Sequence, residues 1–431
     1  MLGFTIFYLL AMKEVNGEMR DLMQVSSVSQ AQSILEQYLS KDNLQIETVA
    51  LEDCLGRIAA HNIFSREDLP GFSRSTMDGY AVRAADTFGS SEGMPTYLKV
   101  IGEVLMGEYT ELELEEGECA KIATGGMLPA GADSVLMVEY TEAVSDLMIE
   151  ATRGVAPGEN IIRRGEDIAE GELLLPEGHC IRPQDLGALA ALGYTEVPVY
   201  KRPIVAVIST GDELIPPGEV PKLGQIRDIN SYALLGQIRQ AGAEPVYMGI
   251  TKDFYDSLKE KVDKALKQAD IVVISGGSSV GTRDVTVDVI ESLGEPGVLV
   301  HGISIRPGKP TILAVVDGKP VFGLPGHPVS AMIIFDLFGI PLINYLSGLK
   351  AEGKVQAYVT AKLSRNIAST AGREDYLRVL LIEKEGELWA EPILGKSGLI
   401  TTMVKAEGIV KIPSVKEGIL EGELVKVTLF Q

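Results

Sequence analysis

The chain has 431 residues, too many for one ordinary hydrophobic core, so two to four domains are expected. Lys and Arg number 39 against 60 Asp and Glu, a net charge of −21 that argues against sequence-independent binding to a nucleic-acid backbone. Hydrophobic residues at 45% and charged residues at 23% exclude long disorder as the main theme.

The first residues, MLGFTIFYLLAM, are apolar but fall short of the roughly 20 that a spanning helix needs. No Lys or Arg precedes Lys13, so a secretory n-region is missing too. Residues 1–24 read as an N-terminal extension. With no other stretch apolar enough to span, the chain reads as soluble and cytoplasmic. Over residues 27–39, Val28, Ala31, Leu35, Tyr38 and Leu39 follow helical spacing behind capping serines. A turn-rich passage over 69–80 then opens a mainly β stretch to about residue 164, with strands expected at 97–104 and 134–140. Residues 183–192 read as a helix and 197–200 as the last strand before a boundary.

From residue 203 strand-like runs alternate with helical patterns, as a parallel sheet requires. Strands are expected at 204–209, 246–250, 271–274, 312–316 and 321–323. Helices are expected at 231–240, where Asn230 could cap, at 254–266, from about 285, and at 329–345. After residue 351 strands return, at 356–363, 376–383 and 424–430. The fold class is α/β plus β, with a doubly wound α/β unit. The domain plan is 25–70 with 166–202 as a linker domain, 71–165 as a mainly β module, 203–350 as the α/β domain and 351–431 as a C-terminal β domain.

Three scattered cysteines, Cys54, Cys119 and Cys180, encode neither a disulfide framework nor a zinc knuckle, and the four histidines have no metal-ligand spacing. Any metal is then a hard ion on carboxylates, or one that the substrate carries. Ligands of an open α/β sheet bind where strands end and loops enter helices. Three loops qualify: Ser209-Thr210-Gly211-Asp212-Glu213, the Gly-rich run Ser275-Gly276-Gly277-Ser278-Ser279-Val280-Gly281, and Gly323-Leu324-Pro325-Gly326-His327-Pro328. Glycines let backbone N–H groups approach an anion, which points to phosphate. Thr282 stands where a P-loop lysine belongs, which argues against a mononucleotide kinase. Arg306-Pro307-Gly308-Lys309-Pro310 fixes two cations between prolines, as an oxyanion site needs.

Simpler readings compete. Asp253 precedes an amphipathic helix and reads equally as an N-cap, Asp78-Gly79 is a common turn pair, and Asn230 an ordinary cap. Gly277-x-Ser279-x-Gly281 also satisfies the nucleophile-elbow pattern, with Asp317 and His327 following in hydrolase order. An α/β hydrolase using Ser279 is thus a rival reading, but it leaves Asp212, Glu213, Asp284 and the basic loop without a task. A scaffold without catalysis has no need of clustered acids beside a fixed cation loop.

The sequence resembles the molybdopterin molybdenumtransferase family (MoeA type, related to the E domain of gephyrin) from about Val25 onward. The carriers are Ser75-Thr76-Met77-Asp78-Gly79-Tyr80-Ala81, Thr124-Gly125-Gly126 with Gly131-Ala132-Asp133, Arg163-Arg164-Gly165-Glu166-Asp167, Ser209 to Leu214, Ser275 to Gly281, Pro307-Gly308-Lys309-Pro310, and Gly323 to Ser330. Each is weak by itself, and their order along the chain is specific. The resemblance implies a transferase of molybdenum cofactor biosynthesis that inserts molybdenum from molybdate into adenylylated molybdopterin and releases AMP, with magnesium in support. The α/β unit would be the molybdopterin-binding domain and the last domain a β-barrel.

Matched residue by residue, the resemblance places Asp78, Thr124, Glu213, Asp253, Asp284 and Lys309 at catalytic positions. The phosphates would lie on Gly211, Asp212, Gly276, Gly277, Ser278, Ser279 and Gly281, with the metal on Glu213 and Asp284. Molybdate would sit near Lys309, Pro325, Pro328, Arg373 and Ser397, with Arg306 and Gly308 also binding substrate. It also implies a homodimer, with residues 25–70 and 166–202 in dimerisation and Asp78 and Thr124 acting in trans, and contact with the molybdopterin adenylyltransferase as a further partner. Arg306 and His327 depart from the Lys and Asn that many relatives carry there. A planar guanidinium in place of a point donor leaves tungstate as an alternative substrate.

Overall fold

The computed structural model describes residues 25–39, 44–276, 283–350 and 357–430, without the side chains of residues 283 and 284. The expected extension, 1–24, lies outside the described residues. Two compact units form, one of residues 48–199 and one of residues 1–47 with 200–431.

Helix α1, Val28–Glu36, starts as its serines suggest. The Ser27 hydroxyl accepts from Gln30 N and the Gln30 side chain accepts from Ser27 N, a reciprocal capping box. Val28, Ala31 and Leu35, one face at helical spacing, enter the core of the second unit beside Leu313 and Val315. Residues 25–39, which the sequence placed with the linker domain, therefore pack on the α/β sheet.

The 48–199 unit is built on a six-stranded sheet of Gly79–Val82 (β1), Thr96–Val104 (β2), Glu118–Ile122 (β3), Ser134–Met137 (β4), Thr141–Ser145 (β5) and Met148–Ala151 (β6), in the order β4-β1-β3-β2-β6-β5. All neighbours are antiparallel except β2 and β3. The strand expected over 134–140 ends at Met137 and turns into a 3₁₀ helix. Helix α2, Pro183–Ala191, begins on a proline whose missing N–H would be unpaired at that position anyway.

In the other unit, Ile204–Thr210 (β7), Asn230–Gln240 (α3), Glu244–Thr251 (β8), Tyr255–Gln268 (α4), Ile271–Gly276 (β9), Arg283–Glu291 (α5), Pro296–His301 (β10), Ile305–Arg306 (β11), Ile312–Val316 (β12) and Lys319–Leu324 (β13) form the α/β layer. The sheet order is β8-β7-β9-β13-β12-β10. Successive residues of its central strands face opposite sides, so Val205, Val207, Ile271 and Val273 enter one core cluster while Ala206, Ile208, Val272 and Ile274 enter the other. Each such Val or Ile contributes about 1.5–3 kcal/mol by leaving water.

The sheet is not wholly parallel. β12 runs antiparallel to β13, and β10, which the sequence reading passed over, antiparallel to β12. The cause is local: Asp317 (φ 47°) and Gly318 (φ 81°) form the two-residue left-handed turn that joins adjacent antiparallel strands.

The helical stretch after β13 comprises Pro328–Ile334 (α6), a π turn at Phe335–Gly339, and Ile340–Leu346 (α7). Contrary to the expectation that no further stretch could span a membrane, Pro328–Leu346 passes by length and apolarity. It is largely buried, with Val329, Ile333, Phe335 and Ile343 in the sheet's core.

The C-terminal strands Val359–Leu363 (β14), Glu374–Lys384 (β15), Glu387–Pro392 (β16), Gly408–Ile412 (β17) and Leu424–Leu429 (β18) close into a five-stranded barrel. The circuit runs β15-β16-β14-β18-β17 and back to β15. Closure removes free edges, and Leu363, Val379, Ala390, Val410 and Val427 fill the interior. The barrel extends into the α/β layer through β11, which pairs parallel with β15, Ile305 opposite Glu374 and Arg306 opposite Asp375.

Candidate active site

The carboxyl ends of β7, β9 and β13 lie side by side, Thr210 opposite Gly276 and Ser275 opposite Leu324. Their three loops therefore start from one rim. Glycine is required at 276, where φ is +121° and a Cβ would stand 1.9 Å from the Thr210 carbonyl oxygen. The Asn230 side-chain amide donates to Ser275 Oγ (2.8 Å) and to the Gly326 carbonyl (2.9 Å), tying the second loop to the third. Asn230 is thus not the cap of α3. That role falls to Asp228, whose carboxylate accepts from Ser231 N at 3.1 Å. Behind the rim, the Ser209 and Ser231 hydroxyls share a hydrogen bond of 2.6 Å.

Asp253 is likewise no N-cap. Phe254 occupies that position without a side-chain cap bond, and the Asp253 carboxylate accepts from the Thr210 hydroxyl. Glu213 folds back over Gly211, where a Cβ would meet its carboxylate at 2.8–3.0 Å. Asp212 and Glu213, both exposed, and half-buried Asp253 thus border the end of β7. Among the described residues no group of three or more His, Cys, Asp or Glu is placed to hold a metal. Gly277, Ser278, Ser279 and Gly281 lie outside the described residues, and of Asp284 only the main chain, in the first turn of α5, is described.

A cleft of about 1190 Å³ opens between the α/β layer and the barrel. Arg306, Lys309, Arg373, Arg378 and Lys396 line it, and among the described residues Asp375 is the one carboxylate in its walls. In a chain of net charge −21 this is a local inversion of sign. The basic loop is anchored by the β11–β15 pairing and by the Ser304 hydroxyl, which donates to the Gly372 carbonyl at 2.6 Å. Gly308 (φ +118°) lets that loop press on α6, since a Cβ would approach Ile334 to 2.7 Å. Buried Asp375 accepts from Arg373 Nε at 2.9 Å and faces Arg306 at 3.6 Å. Lys309 has no ion pair among the described residues. On the opposite wall Val329 N donates to the Ser397 carbonyl (3.2 Å), and the Ser397 hydroxyl hydrogen-bonds His327 Nδ1 (2.9 Å). Pro325 lines the cleft. Pro328 does not, being buried as the first residue of α6.

His327 and Asp317 lie at opposite ends of β13, so they form no His–Asp pair. Asp317 is therefore not the acid that orients His327. Of the cysteines, Cys119 is fully buried and its thiol is pushed up to about 12 by desolvation, which leaves it inert as a nucleophile.

Asp78 and Thr124 belong to the 48–199 unit and meet there. The Asp78 carboxylate accepts from Thr124 N (2.7 Å) and Thr124 Oγ1 (2.9 Å), and these two donors hold it below the usual carboxylate range. Asp78-Gly79 is no hairpin turn but the entry to β1, where a Cβ on Gly79 would stand 2.0 Å from the Leu136 carbonyl oxygen.

Residues 26–193 match the MoeA N-terminal region (domain I and II), 206–345 a probable molybdopterin binding domain, and 360–430 the MoeA C-terminal region (domain IV). The molybdopterin molybdenumtransferase of Bacillus subtilis is 34% identical over 391 residues, 90% of each chain. The chain belongs to the molybdopterin molybdenumtransferase family. Another member, from a Nostoc species, is 37% identical over 77% of this chain and 76% of its own. Two solved structures of Pyrococcus horikoshii molybdopterin biosynthesis MoeA protein align with TM-scores of 0.79 at 44% identity and 0.82 at 33%, over 95% and 94% of this chain and all of theirs. The family is one of transferases, and the expected multidomain architecture with its C-terminal barrel is the architecture found.

In this molybdenumtransferase-family chain, sequence reasoning missed the link made by Asn230, the cap made by Asp228 and the buried guanidinium of Arg378. Asn230 carried a signal, but the same signal fits a cap. Arg378 carried none, because whether an arginine in a strand faces solvent or a cleft depends on what packs over it.

Proposed function

We propose that this protein inserts molybdenum from molybdate into adenylylated molybdopterin with release of AMP. The observation that supports this most is the cleft with five Lys or Arg against one carboxylate among the described residues, lined also by Pro325 and His327 of the third strand-end loop. A tetrahedral dianion needs such convergent, preorganised donors. Lys309, Arg373 and the Ser397 hydroxyl, with Pro325 beside them, would take the oxyanion. The dithiolene sulfurs of the substrate would be the soft ligands of molybdenum, so the chain needs no Cys or His cluster. The substrate's phosphates would lie on the rim at Gly211, Asp212 and Gly276.

The exposed carboxylate oxygens at the end of β7 suit a hard divalent ion, and one or two carboxylates suffice for magnesium, which keeps waters and binds substrate phosphates. Glu213, with Asp284, would hold it, and when bound it would neutralise phosphate charge. The Thr210 hydroxyl orients Asp253, a fixed negative group beside them. The proposed assembly is a cytoplasmic homodimer in which Asp78 and Thr124 serve the site of a second copy.

The test is to incubate the purified protein with adenylylated molybdopterin and magnesium and to measure AMP with molybdate, with tungstate and with neither. Oxyanion-dependent AMP release is expected. Release that prefers tungstate would shift the substrate. Absence of release under every condition overturns the proposal.

A further inference from the structure

Arg378 is only 7% exposed, yet no carboxylate among the described residues pairs with it. Its Nη2 donates to the Gly395 carbonyl at 3.0 Å and more distantly to that of Ile393 at 3.5 Å, while Nε meets no acceptor. The nearby carboxylate, Asp375, is engaged by Arg373 and Arg306. Burial and the neighbouring charge of Arg306 both oppose the guanidinium charge. Arginine does not escape by losing its proton in a protein, so the charge stays and is uncompensated. An uncompensated buried charge is among the costlier features a fold can carry. It becomes intelligible when the missing counter-charge enters the cleft that Arg378 lines.

We infer that Arg378 makes the cleft selective for doubly over singly charged tetrahedral oxyanions, by adding a buried unpaired positive charge and by holding the Gly395-Lys396-Ser397 loop through the Gly395 carbonyl. It is a positioning and specificity-determining residue. The inference rests on the reading of this cleft as the oxyanion site. Molybdate and perrhenate separate the two contributions, because they share tetrahedral shape and differ in charge.

The experiment titrates each anion against the melting temperature of the whole protein at constant ionic strength, with chloride as the reference, for wild type, Arg378→Gln and Arg378→Lys. Wild type should bind molybdate at least about ten-fold more tightly than perrhenate. Arg378→Gln should weaken molybdate on the order of ten-fold and perrhenate less than about three-fold, while Arg378→Lys keeps the preference. Equal weakening of both anions, or of neither, in Arg378→Gln overturns the inference and leaves the oxyanion site standing. A wild-type protein that molybdate does not stabilise beyond chloride overturns the oxyanion reading itself. Should the glutamine variant not fold, the other two proteins decide: a wild-type preference near one, or a lysine variant without the preference, overturns the assignment to charge.

Discussion

Asn230 shows how a single side chain can hold two loops in register. Its amide donates both to Ser275 and to Gly326, so the loops at the ends of β9 and β13 are fixed to one another from below. Asn230→Ala should cost only about 1–3 kcal/mol in unfolding free energy, the worth of two hydrogen bonds, yet lower AMP release on the order of ten-fold or more by misplacing both loops. Denaturant melts and turnover measured together check this; a loss of activity no larger than the loss of folded protein would refute it. Thr124 holds Asp78 by two donors to one oxygen. In Thr124→Ala, which loses the hydroxyl and keeps the larger, backbone donor, the Asp78 pKa should rise only part of the way toward the ordinary carboxylate value, as followed by carboxyl NMR. The sign follows from the depressed folded value: the stabilisation is present above the unfolded pKa and fades as pH falls through the folded one.

Among the elements, the π turn between α6 and α7 stands out because it holds a half-buried carboxylate, Asp336, beside the buried Phe335 and Phe338. Gln237 donates to it at 2.5 Å, but burial dominates and pushes the carboxyl up to about 6. A raised folded pKa favours the neutral form, so this contribution is full below the unfolded value near about 4 and is lost as pH rises through about 6. Asp336→Asn should therefore stabilise the protein by up to about 3 kcal/mol at pH 7.5 and leave it unchanged below about pH 4. Melting temperature against pH reads this directly, and a pH-independent difference would sink it.

At the scale of the molecule, anion binding opposes a chain charge of −21 by means of one inverted patch. The attraction acts over a few ångströms and is partly exposed, so salt should weaken it. Molybdate affinity, by equilibrium dialysis, should fall on the order of ten-fold between about 0.05 and 0.5 M chloride. Little or no salt dependence would mean that shape and hydrogen bonds, not charge, hold the ion.

Much of this was legible along the chain, for reasons that are local. Buried strands such as Ile204–Thr210, the one-sided helix of Leu258, Val262 and Ala265, and the capping serine before Val28 are set by side-chain period and by the backbone's need for hydrogen-bond partners. The Gly-rich and basic loops announce themselves by composition. Tertiary structure decided the rest. It took Asn230 and Asp253 from capping into the rim, and joined β11 to the barrel so that Arg306 and Lys309 share a cleft with Arg373, Arg378 and Ser397. Period and propensity act over a few neighbours, whereas the charge balance of a cleft depends on residues some 70 positions apart meeting only when the barrel has closed and docked.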